Sequence, residues 1–447
     1  MNAFHAYDIR GIYPDQFNKD DCYKIGFFLP ELLKTNKILV GRDMRESSPE
    51  IHEWLCRGII DAGADVCDAG LTTTPMVYYA TAKFGFQASV QITASHNPRE
   101  YNGMKISRAN ALPVGLDTGL GDLKKMMETR PVVPAAKKGN ITPFDFTDEY
   151  KQFQRQWLKD LSNLTIAVDC SNGMASMLIH DILGDTPHYI YDTLDGTFPH
   201  HEPNPLIEAN CRDLEALVCK TKADVGVIYD GDADRVMFID ERGHFISPDL
   251  IIGLMAHFFL EERGLKGNVL QDIRTSKAVG EYISRFGGTM NMWRVGRAYA
   301  APKLREIDGI YGGELAGHYY FRDFFYSDSG IMASLIVLGI VAGLKKQGRT
   351  ISEAIADISR YANSGEINFK IEKKQQAMDA VRDYFTSTEK PTASYDFDGY
   401  RVEFADWWFN IRPSNTEPYL RLLAEAKTET MLKQKLDKIK EIIGQFE

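Results

Sequence analysis

The chain has 447 residues, which at about 150 residues per domain predicts two to four domains. Hydrophobic residues make up 44% of the sequence and charged residues 26%, and this excludes a disordered chain, a collagen and a coiled coil. The net charge of −10 argues against nucleic acid as the main partner. It does not argue against an anionic small molecule, because local Arg and Lys residues can form a phosphate pocket in an acidic protein.

No targeting or membrane segment is expected from the sequence. Residues 1–10 have no apolar core behind a basic start, as a signal peptide requires. The longest apolar run, residues 331–344, is shorter than the about 20 residues of a membrane span. The six cysteines form no CxxC pair and are sparse for the length, which is typical of reduced thiols. We therefore expect a cytoplasmic protein that does not bind a membrane.

Short apolar runs alternate with helical patterns along the chain, and several runs end in polar or glycine-rich loops. Strands are predicted at residues 37–40, 89–92, 164–168 and 224–229, and helices at residues 148–159 and 428–446. This alternation predicts an α/β fold with mixed or parallel sheets. In such sheets, ligands bind outside the carboxyl ends of the strands.

Three breaks divide the chain into four predicted domains. They are a Pro- and Lys-rich stretch at residues 131–140, a hairpin-like turn at residues 240–243 and a polar turn at residues 363–365. The predicted domains are residues 1–147, 148–244, 245–363 and 364–447.

The first chemical motif is TASHNP at residues 93–98, directly after an apolar run. Ser95 at a strand end, beside His96, is well placed to be a nucleophile or a phosphate carrier. A Ser-containing turn that caps the next element has the same pattern. The Gly-x-Ser-x-Gly signature of hydrolases is missing around Ser95, which disfavours a hydrolase.

The second motif is DGDADR at residues 230–235, between two apolar strands. The carboxylates of Asp230, Asp232 and Asp234 can converge on one hard divalent cation, and the all-oxygen set favours Mg²⁺. Without a cation they would repel one another. The apolar strand that follows excludes an EF-hand.

Two further loops offer groups that could bind a sugar phosphate. GGELAGH at residues 312–318 contains Glu314 and His318, which could hydrogen-bond vicinal sugar hydroxyls, although a structural turn fits equally well. RPSNTEP at residues 412–418, followed by Arg421, is rich in donors suited to a phosphate. A plain turn also remains possible at this second loop.

These four loops, in this order and spacing, resemble the α-D-phosphohexomutase family, in particular its phosphomannomutase/phosphoglucomutase branch. The resemblance covers essentially the whole chain, including YDIRG at residues 7–11, GRDMR at residues 41–45 and DGTFP at residues 195–199. It implies a heart-shaped four-domain architecture. Three similar mixed α/β domains would carry the phosphoserine, the metal and the sugar site, and a C-terminal α+β domain would bind phosphate.

The resemblance also implies a reaction. A phosphoryl group would move reversibly between C1 and C6 of a mannose or glucose phosphate, through a phosphoserine at Ser95 and a hexose 1,6-bisphosphate that also serves as activator. Mg²⁺ would be held by the Ser95 phosphate and by Asp230, Asp232 and Asp234. The partners would be small sugar phosphates, and the protein would be a monomer or a weak homodimer.

Site residues follow from the same resemblance. The implied catalytic group is Ser95, His96, Lys105, Arg10 and Arg235, of which Arg235 would neutralise charge on the moving phosphoryl group. The implied substrate-binding group is Tyr7, Arg274, Arg297, Glu314, His318, Arg412, Ser414, Asn415, Thr416 and Arg421. The residues from Arg412 onward would hold the phosphate that is not reacting.

The chain departs from the family pattern at three positions. Arg274 stands where Lys is common, and Arg297 stands where His is common. Because Arg is always charged and forks two ways, both should hold phosphate, while a proton-releasing role at either position is in doubt. Ala316 stands where Ser is usual, and one contact to the sugar is lost there.

Other functions remain open from the sequence. A metal-dependent sugar phosphatase could use the Asp230 loop, and a sugar-phosphate binding protein without activity could use the same pockets. A phosphoglucosamine mutase of the same family is a further alternative. Such mutases usually carry Gly at the position of Asn415 and Gln at that of Leu315, and residues 97–105 and 320–330 favour mannomutases.

Overall fold

The structure is a computed structural model, which describes residues 3–414 and 419–446. In this part of the chain, four β-sheets follow one another along the sequence. The first three are mixed sheets flanked by helices, and the last is antiparallel, as the sequence predicts. The fold class is thus confirmed.

The first domain carries the sheet with the strand order β1-β5-β4-β2-β3-β6. Strands β4, β2, β3 and β6 are parallel to one another, while β5 runs antiparallel between β1 and β4. Its strands are β1 (Ile9–Ile12), β2 (Lys37–Arg42), β3 (Asp65–Leu71), β4 (Ala88–Ile92), β5 (Tyr101–Arg108) and β6 (Ile141–Pro143). Its helices are α1 (Lys19–Leu33), α2 (Ser48–Asp61), α3 (Thr74–Lys83) and α4 (Leu120–Thr129).

Local sequence explains the helix starts in this domain. Asn18 caps α1, since its side chain accepts hydrogen bonds from the backbone of residues 20 and 21, and Asp21 completes a capping box. Thr73 caps α3, with Pro75 in the first turn. The central strand β4 is buried along its whole length, as its apolar run predicts.

The second domain has the strand order β11-β10-β9-β7-β8, in which β9, β7 and β8 are parallel. Helix α5 (Thr147–Arg155) leads into it. The remaining elements are β7 (Ile166–Asp169), α6 (Ile179–Leu183), β8 (His188–Ile190), α7 (Arg212–Thr221), β9 (Val225–Tyr229), β10 (Val236–Asp240) and β11 (Phe245–Ile246).

The third domain has the strand order β13-β12-β14-β15-β16, with β13, β12 and β14 parallel. Its elements are α8 (Pro248–Leu254), a π-helix (His257–Glu262), β12 (Gly267–Asp272), α9 (Lys277–Ser284), β13 (Gly288–Trp293), α10 (Arg297–Glu306), β14 (Tyr311–Gly313), β15 (Tyr319–Phe321), β16 (Ser327–Asp328), α11 (Gly330–Lys346) and α12 (Ile351–Ile358). The apolar run at residues 331–344 lies in α11, which is buried almost throughout.

The fourth domain has the strand order β17-β22-β21-β20-β19, and β18 also pairs with β22. Its elements are β17 (Ala362–Asn363), β18 (Ile367–Phe369), α13 (Lys374–Thr388), β19 (Ala393–Tyr395), β20 (Tyr400–Glu403), β21 (Trp407–Pro413), β22 (Leu420–Ala426) and α14 (Glu429–Ile443). The helix expected at residues 428–446 corresponds to α14.

Strand pairing differs from two of the three predicted domain boundaries. Phe245 and Ile246 pair with β10, so the second sheet extends beyond residue 244. Likewise β17 pairs with β22 and belongs to the fourth sheet, although the prediction placed residue 363 in the third domain. A strand of two residues is too short to show a hydrophobic period in the sequence. Only the strand with which it pairs shows which sheet it joins, and for β17 that partner, β22, is distant along the chain.

One hydrophobic core connects the first three domains, whereas the fourth has a core of its own. The connection is visible in a chain of aromatic rings. The ring centre of Tyr79 in the first domain lies 5.0 Å from that of Phe153, and the ring centre of Phe153 lies 5.7 Å from that of Phe324 in the third domain. Such contacts bury large apolar areas, which holds the first three domains together.

Within the described residues, no single helix is long and apolar enough to cross a membrane. Helices α11 and α12 together meet that length and composition, but they are bent by 104°.

Polar contacts connect the third and fourth domains. Glu425 on β22 accepts hydrogen bonds of 2.8 Å from Ser276 Oγ of the third domain and from Trp408 Nε1. Arg401, fully buried on β20, donates to the carbonyl oxygens of Ile273 and Thr275. Burial, followed by the nearby Asp249 carboxylate, raises the pKa of Glu425 from 4.5 to about 6.

This raised pKa predicts a pH-dependent stability. The folded carboxyl group holds its proton more tightly than the unfolded one, so stability falls as the pH rises from 4.5 through 6. Between pH 4.5 and 7, the wild type should lose about 2 kcal/mol relative to Glu425→Gln. Urea unfolding followed by tryptophan fluorescence at several pH values measures this difference.

The exposed Glu429 provides a control. The stability of Glu429→Gln should depend on pH in the same way as that of the wild type. If the free energy of unfolding had the same pH dependence in Glu425→Gln as in the wild type, the prediction would be contradicted.

Candidate active site

The serine loop (residues 93–97) and the aspartate loop (residues 230–235) lie against each other where the first two domains meet. Ser95 Oγ donates a 2.8 Å hydrogen bond to Asp230 Oδ2. A Cβ atom added to Gly231 would lie only 2.4 Å from the carbonyl oxygen of Ser95, so the close approach requires glycine. Both side chains are buried, with Ser95 1% exposed and Asp230 fully enclosed.

Ser95 follows β4 and has a left-handed backbone, with a φ of +52°. Its N–H donates to Thr93 Oγ1 at 2.9 Å, and its Oγ lies 3.2 Å from His96 Nδ1. Burial, and then the positive charge of Arg235, lowers the pKa of His96 well below its ordinary value. The imidazole is therefore neutral at neutral pH and faces the serine oxygen.

Arg10 reaches the serine loop from β1. One guanidinium nitrogen donates to Asn97 Oδ1 at 2.6 Å, and another pairs with Asp8. Burial alone would lower the pKa of Arg10, but the charges of Asp8, Asp232 and Asp234 raise it. The cation is therefore retained between the two loops.

The aspartate loop is the turn of the hairpin formed by β9 and β10. Asp230, Asp232 and Asp234 are fully enclosed, and Ala233 takes a positive φ of +60° to make the turn. Asp230 Oδ1 also accepts from the N–H of Arg235 at 3.2 Å. The loop thus holds three carboxylates in the protein interior.

Lys105 on β5 supplies a positive charge to this loop. Its Nζ lies 2.7 Å from Asp232 Oδ2 and 2.5 Å from Asp234 Oδ2. Burial alone would lower the pKa of Lys105, but these two carboxylates raise it well above its ordinary value. At Asp230, burial and then the charges of Asp232 and Asp234 raise the pKa of the carboxyl group well above its usual range.

The aspartate loop has the properties of a metal site. Ligand oxygens of Asp230, Asp232 and Asp234 lie within 4.8 Å of one another. The Oδ1 atoms of Asp232 and Asp234 are buried and have no hydrogen-bond partner among the described residues. A divalent cation would satisfy these oxygens and relieve the repulsion at Asp230, and an all-oxygen set suits a hard cation.

His318 binds the aspartate loop to the third domain. Its Nε2 accepts from Arg235 Nε at 2.9 Å, and its Nδ1 lies 2.7 Å from Asp328 Oδ2. These partners fit the tautomer that carries a proton on Nδ1. Asp234, His318 and Asp328 form a second possible group of metal ligands. Both ring nitrogens of His318 are thus engaged with protein groups, whereas the sequence led us to expect contact with a sugar.

Glu314 follows β14 and is buried. Its Oε1 accepts from Tyr320 Oη at 2.5 Å, and its Oε2 accepts from the N–H of Gly296 at 3.0 Å. Burial is the main cause that raises the pKa of its carboxyl group. Ala316, two residues on, is half-buried in the same turn.

Arg297 connects the third domain to the first. Its Nε lies 2.9 Å from Asp328 Oδ1, and its Nη2 donates to the carbonyl oxygen of Ala111 at 2.9 Å. The guanidinium carbon lies 3.6 Å from the centre of the Tyr78 ring. Much of this guanidinium is therefore used in the contact between two domains.

Arg274 and Arg421 meet at the boundary of the third and fourth domains. Arg274 forms a two-point ion pair with Asp272, with Nε at 3.1 Å and Nη2 at 2.8 Å from the carboxylate oxygens. Glu366 is close to both arginines, 4.0 Å from Arg274 Nη1 and 3.2 Å from Arg421 Nη1. The structure thus brings these two candidate phosphate ligands together.

Tyr7 and Arg412 are connected through a loop of the third domain. Tyr7 Oη donates to the carbonyl oxygen of Val295 at 3.1 Å, and the N–H of Val295 donates to Asp398 Oδ2 at 2.9 Å. Arg412 Nε donates to Asp398 Oδ1 at 3.0 Å. Arg412 Nη2 is buried and has no acceptor within the described ranges, so it remains available to an anion.

The turn after Arg412 is described only in part. The N–H of Ser414 donates to the carbonyl oxygen of Tyr419 at 2.9 Å, which closes the β21–β22 hairpin. Asn415 and Thr416, both predicted to bind phosphate, lie outside the described residues.

Three residues of the site were not identified as such from the sequence. Thr74 Oγ1 donates to Asp232 Oδ2 at 2.5 Å, Tyr78 lies under Arg297, and Asp328 contacts both Arg297 and His318. The threonine run before Pro75 and the SDSG stretch at residues 327–330 were the available signals. Neither one indicates which distant group the side chain contacts.

Known protein families match this chain in all four of its domains. Models of phosphoglucomutase/phosphomannomutase alpha/beta/alpha domains I, II and III and of the C-terminal domain match residues 1–127, 145–243, 247–361 and 366–442.

Individual relatives extend over nearly the full length. The phosphomannomutase of Escherichia coli K12 is 37% identical, covering 97% of this chain and 98% of the relative. That of Methanocaldococcus jannaschii is 34% identical, covering 100% and 98%. The crystal structure of a phosphoglucomutase/phosphomannomutase family protein from Burkholderia thailandensis has a TM-score of 0.86 at 26% identity, covering 99% of this chain and 96% of that one.

The resemblance inferred from the four loops is therefore confirmed over the whole chain. The protein is a mutase that belongs to the phosphoglucomutase/phosphomannomutase family.

Proposed function

We propose that the protein reversibly converts hexose 1-phosphates of the mannose and glucose type into 6-phosphates, through a phosphoserine at Ser95 and a hexose 1,6-bisphosphate. The observation that carries this proposal is the contact between Ser95 Oγ and Asp230 Oδ2. A buried hydroxyl directed into a buried acidic loop is suited to exchange a phosphoryl group beside a cation.

Ser95 is the phosphoryl carrier in this proposal. In the first half of the reaction, the bond between phosphorus and Ser95 Oγ breaks and a bond to a sugar hydroxyl oxygen forms. The proton of that hydroxyl ends on Ser95 Oγ, and the neutral His96 Nδ1, 3.2 Å away, can pass it. In the second half, Ser95 takes the other phosphoryl group of the bisphosphate, and the proton returns to the sugar oxygen.

Charge around the transfer is balanced by fixed groups. Asp230, Asp232 and Asp234 would hold Mg²⁺, which would supply Lewis-acid stabilisation of the phosphoryl oxygens. Lys105 stays charged beside these carboxylates and acts as an orienting cation and hydrogen-bond donor. Arg235 Nε lies 3.8 Å from Asp230 Oδ2, and its guanidinium group would neutralise charge on the moving phosphoryl group.

Phosphate that is not reacting would be held at the junction of the third and fourth domains. The donors proposed for it are Arg274, Arg412 and Arg421 with the hydroxyls of Ser414 and Thr416, Asn415 and, from the first domain, Tyr7. Arg412 Nη2, which is buried and has no acceptor among residues 3–414 and 419–446, supports this assignment most directly. Arg297 would contribute mainly by keeping the first and third domains in place, in addition to its charge.

Sugar hydroxyls would be bound by the loop that contains Glu314 and His318. Glu314 accepts two hydrogen bonds from protein donors in the structure, and a carboxylate has further lone pairs to offer. His318 would act through Arg235 and Asp328, since both ring nitrogens face those groups.

Ser95→Ala should remove the phosphate and lower turnover by at least about a thousandfold, since the variant lacks the carrier oxygen. Intact mass before and after phosphatase treatment should differ by one phosphate in the wild type only. Activity of the wild type should also require a trace of hexose 1,6-bisphosphate.

Ser171 provides a matched control. It too follows a strand, is buried and has a φ of +52°, but its Oγ donates to the carbonyl oxygen of Tyr229. Ser171→Ala should retain the phosphate. A Ser95→Ala variant with substantial turnover, or inorganic phosphate as the main product of the wild type, would refute the proposed reaction.

Asp232→Asn should weaken Mg²⁺ binding and turnover together, because it removes a ligand charge at constant shape. We expect a loss of affinity of about a hundredfold, since even partners of metal ligands contribute about tenfold to a hundredfold. Isothermal titration of metal-free enzyme with Mg²⁺ measures the affinity.

Asp328→Asn alters the second acidic group but leaves Asp230, Asp232 and Asp234 intact, and it should have the smaller effect on affinity. A larger loss of affinity in Asp328→Asn than in Asp232→Asn would place the metal at the other group. Full activity of the wild type in EDTA would contradict metal dependence.

Mannose and glucose 1-phosphates should both be substrates. The two sugars differ only at C2, and the bisphosphate must bind in two orientations, so a hydrogen bond to that hydroxyl would act in only one of them. Such a bond contributes about 0.5–1.5 kcal/mol, or roughly threefold to tenfold in rate. We therefore expect the kcat/KM values for the two sugars to lie within about tenfold to a hundredfold of each other. A coupled assay with both sugars and N-acetylglucosamine 1-phosphate, which should be much poorer, measures this ratio.

A preference for mannose above about a thousandfold would require a group that binds the C2 hydroxyl in both orientations. Equal turnover of the N-acetyl sugar would likewise contradict the assignment.

A further inference from the structure

The serine loop is held by a side chain to which the reaction assigns no role. Arg45 lies just after β2, and its side chain is fully enclosed. Its Nη2 donates to the carbonyl oxygens of Ser95 at 2.9 Å and Asn97 at 2.7 Å. Its Nη1 donates to those of Pro98 at 2.7 Å and Tyr101 at 3.0 Å. One guanidinium therefore fixes four carbonyl groups within seven residues.

The backbone of Ser95 needs such support. With a φ of +52°, it lies in a region that side-chain-bearing residues adopt only where surrounding contacts impose it. The Arg45 contact to the Ser95 carbonyl acts directly at this strained residue. Because the same guanidinium holds the turn that leads into β5, the loop cannot relax without breaking several charge-assisted hydrogen bonds.

Arg45 is itself held by groups from two domains. Its Nε lies 3.2 Å from Asp43 Oδ2, and Asp43 Oδ1 accepts from the N–H of Arg45 at 3.0 Å. From the second domain, the Phe198 ring covers the guanidinium group, whose carbon Cζ lies 5.0 Å from the ring centre. A Cβ atom added to Gly196 would lie 2.7 Å from Arg45 Cα, so this loop packs tightly on the same residue.

We propose that Arg45 is a positioning residue for phosphoryl transfer, which fixes Ser95 Oγ against Asp230 by holding the carbonyl group of Ser95 and those of the turn that follows it. The planar fork of arginine is required, because four oxygens are held at once and a lysine ammonium cannot reach them all. The inference rests on the proposed role of Ser95 as phosphoryl carrier. It gives a shared purpose to residues 41–45 and 195–199, which the sequence left without a role.

The test measures how fast Ser95 accepts a phosphoryl group. Dephosphorylated enzyme is mixed with saturating glucose 1,6-bisphosphate and Mg²⁺, quenched at intervals and analysed by intact mass. Arg45→Lys should slow this step by about tenfold to a hundredfold, since displacing a reacting atom by about 1 Å can cost about a hundredfold. KM for the hexose 1-phosphate should stay nearly unchanged, because the hydrogen bonds of Arg45 go to the serine loop, the turn after it and Asp43.

Arg401→Lys is the matched control. Arg401 is equally buried and donates to two backbone carbonyls, but it lies in the fourth domain. Its substitution should destabilise the protein comparably and leave the rate of Ser95 phosphorylation close to that of the wild type. Hydrogen exchange should accelerate at residues 94–101 in Arg45→Lys and not in Arg401→Lys.

The outcomes separate the two proposals. A wild type that never takes phosphate at Ser95 refutes the proposed function, whatever the variants do. A phosphorylated wild type together with a folded Arg45→Lys variant of equal rate overturns the inference alone. If Arg45→Lys does not fold, Asp43→Asn, which loosens the guanidinium, should slow the step by about threefold or more. A wild-type rate in that variant overturns the inference as well.

Discussion

Three carboxylates buried in the six residues of the aspartate loop impose the strongest physical constraint on this protein. Like charges at that spacing repel one another, and burial removes the water that would screen them. Burial, followed by the charges of Asp232 and Asp234, raises the pKa of the Asp230 carboxyl group well above its usual range. Lys105 approaches from the first domain, and His318, whose Nε2 accepts from Arg235 of the loop itself, approaches from the third. The charge of one loop thus requires three domains to meet around it.

Charge also organises the remaining domain boundaries. Arg297 connects Asp328 with the carbonyl oxygen of Ala111, and Glu366 lies between Arg274 and Arg421. A buried ion pair adds little net stability, because desolvation offsets much of the attraction, but removal of one partner is costly. Such pairs therefore determine how the domains are arranged more than how stable they are. The aromatic core shared by the first three domains supplies most of their cohesion.

Most of the site loops were recognisable because their chemistry is local. The DGDADR stretch concentrates three carboxylates in six residues, and the serine loop follows a continuous apolar strand. The predicted strands at residues 37–40, 89–92 and 224–229 correspond to β2, β4 and β9, since buried strands read as apolar runs in any context. Where a strand has only two residues, as at Phe245–Ile246, no such run exists, and only its pairing with β10 shows which sheet it joins.

The sequence by itself determined the family and the α/β fold, and it predicted the residue types of the proposed site, because each strand and each loop is a pattern of a few consecutive residues. Only the tertiary structure decided which partner each side chain has. It engaged both ring nitrogens of His318 with Arg235 and Asp328, placed Arg297 between two domains, and directed Arg45 to the carbonyl groups of a loop fifty residues away. A guanidinium or an imidazole binds whatever acceptor packing brings within about 3 Å, and packing joins residues that are far apart in the chain.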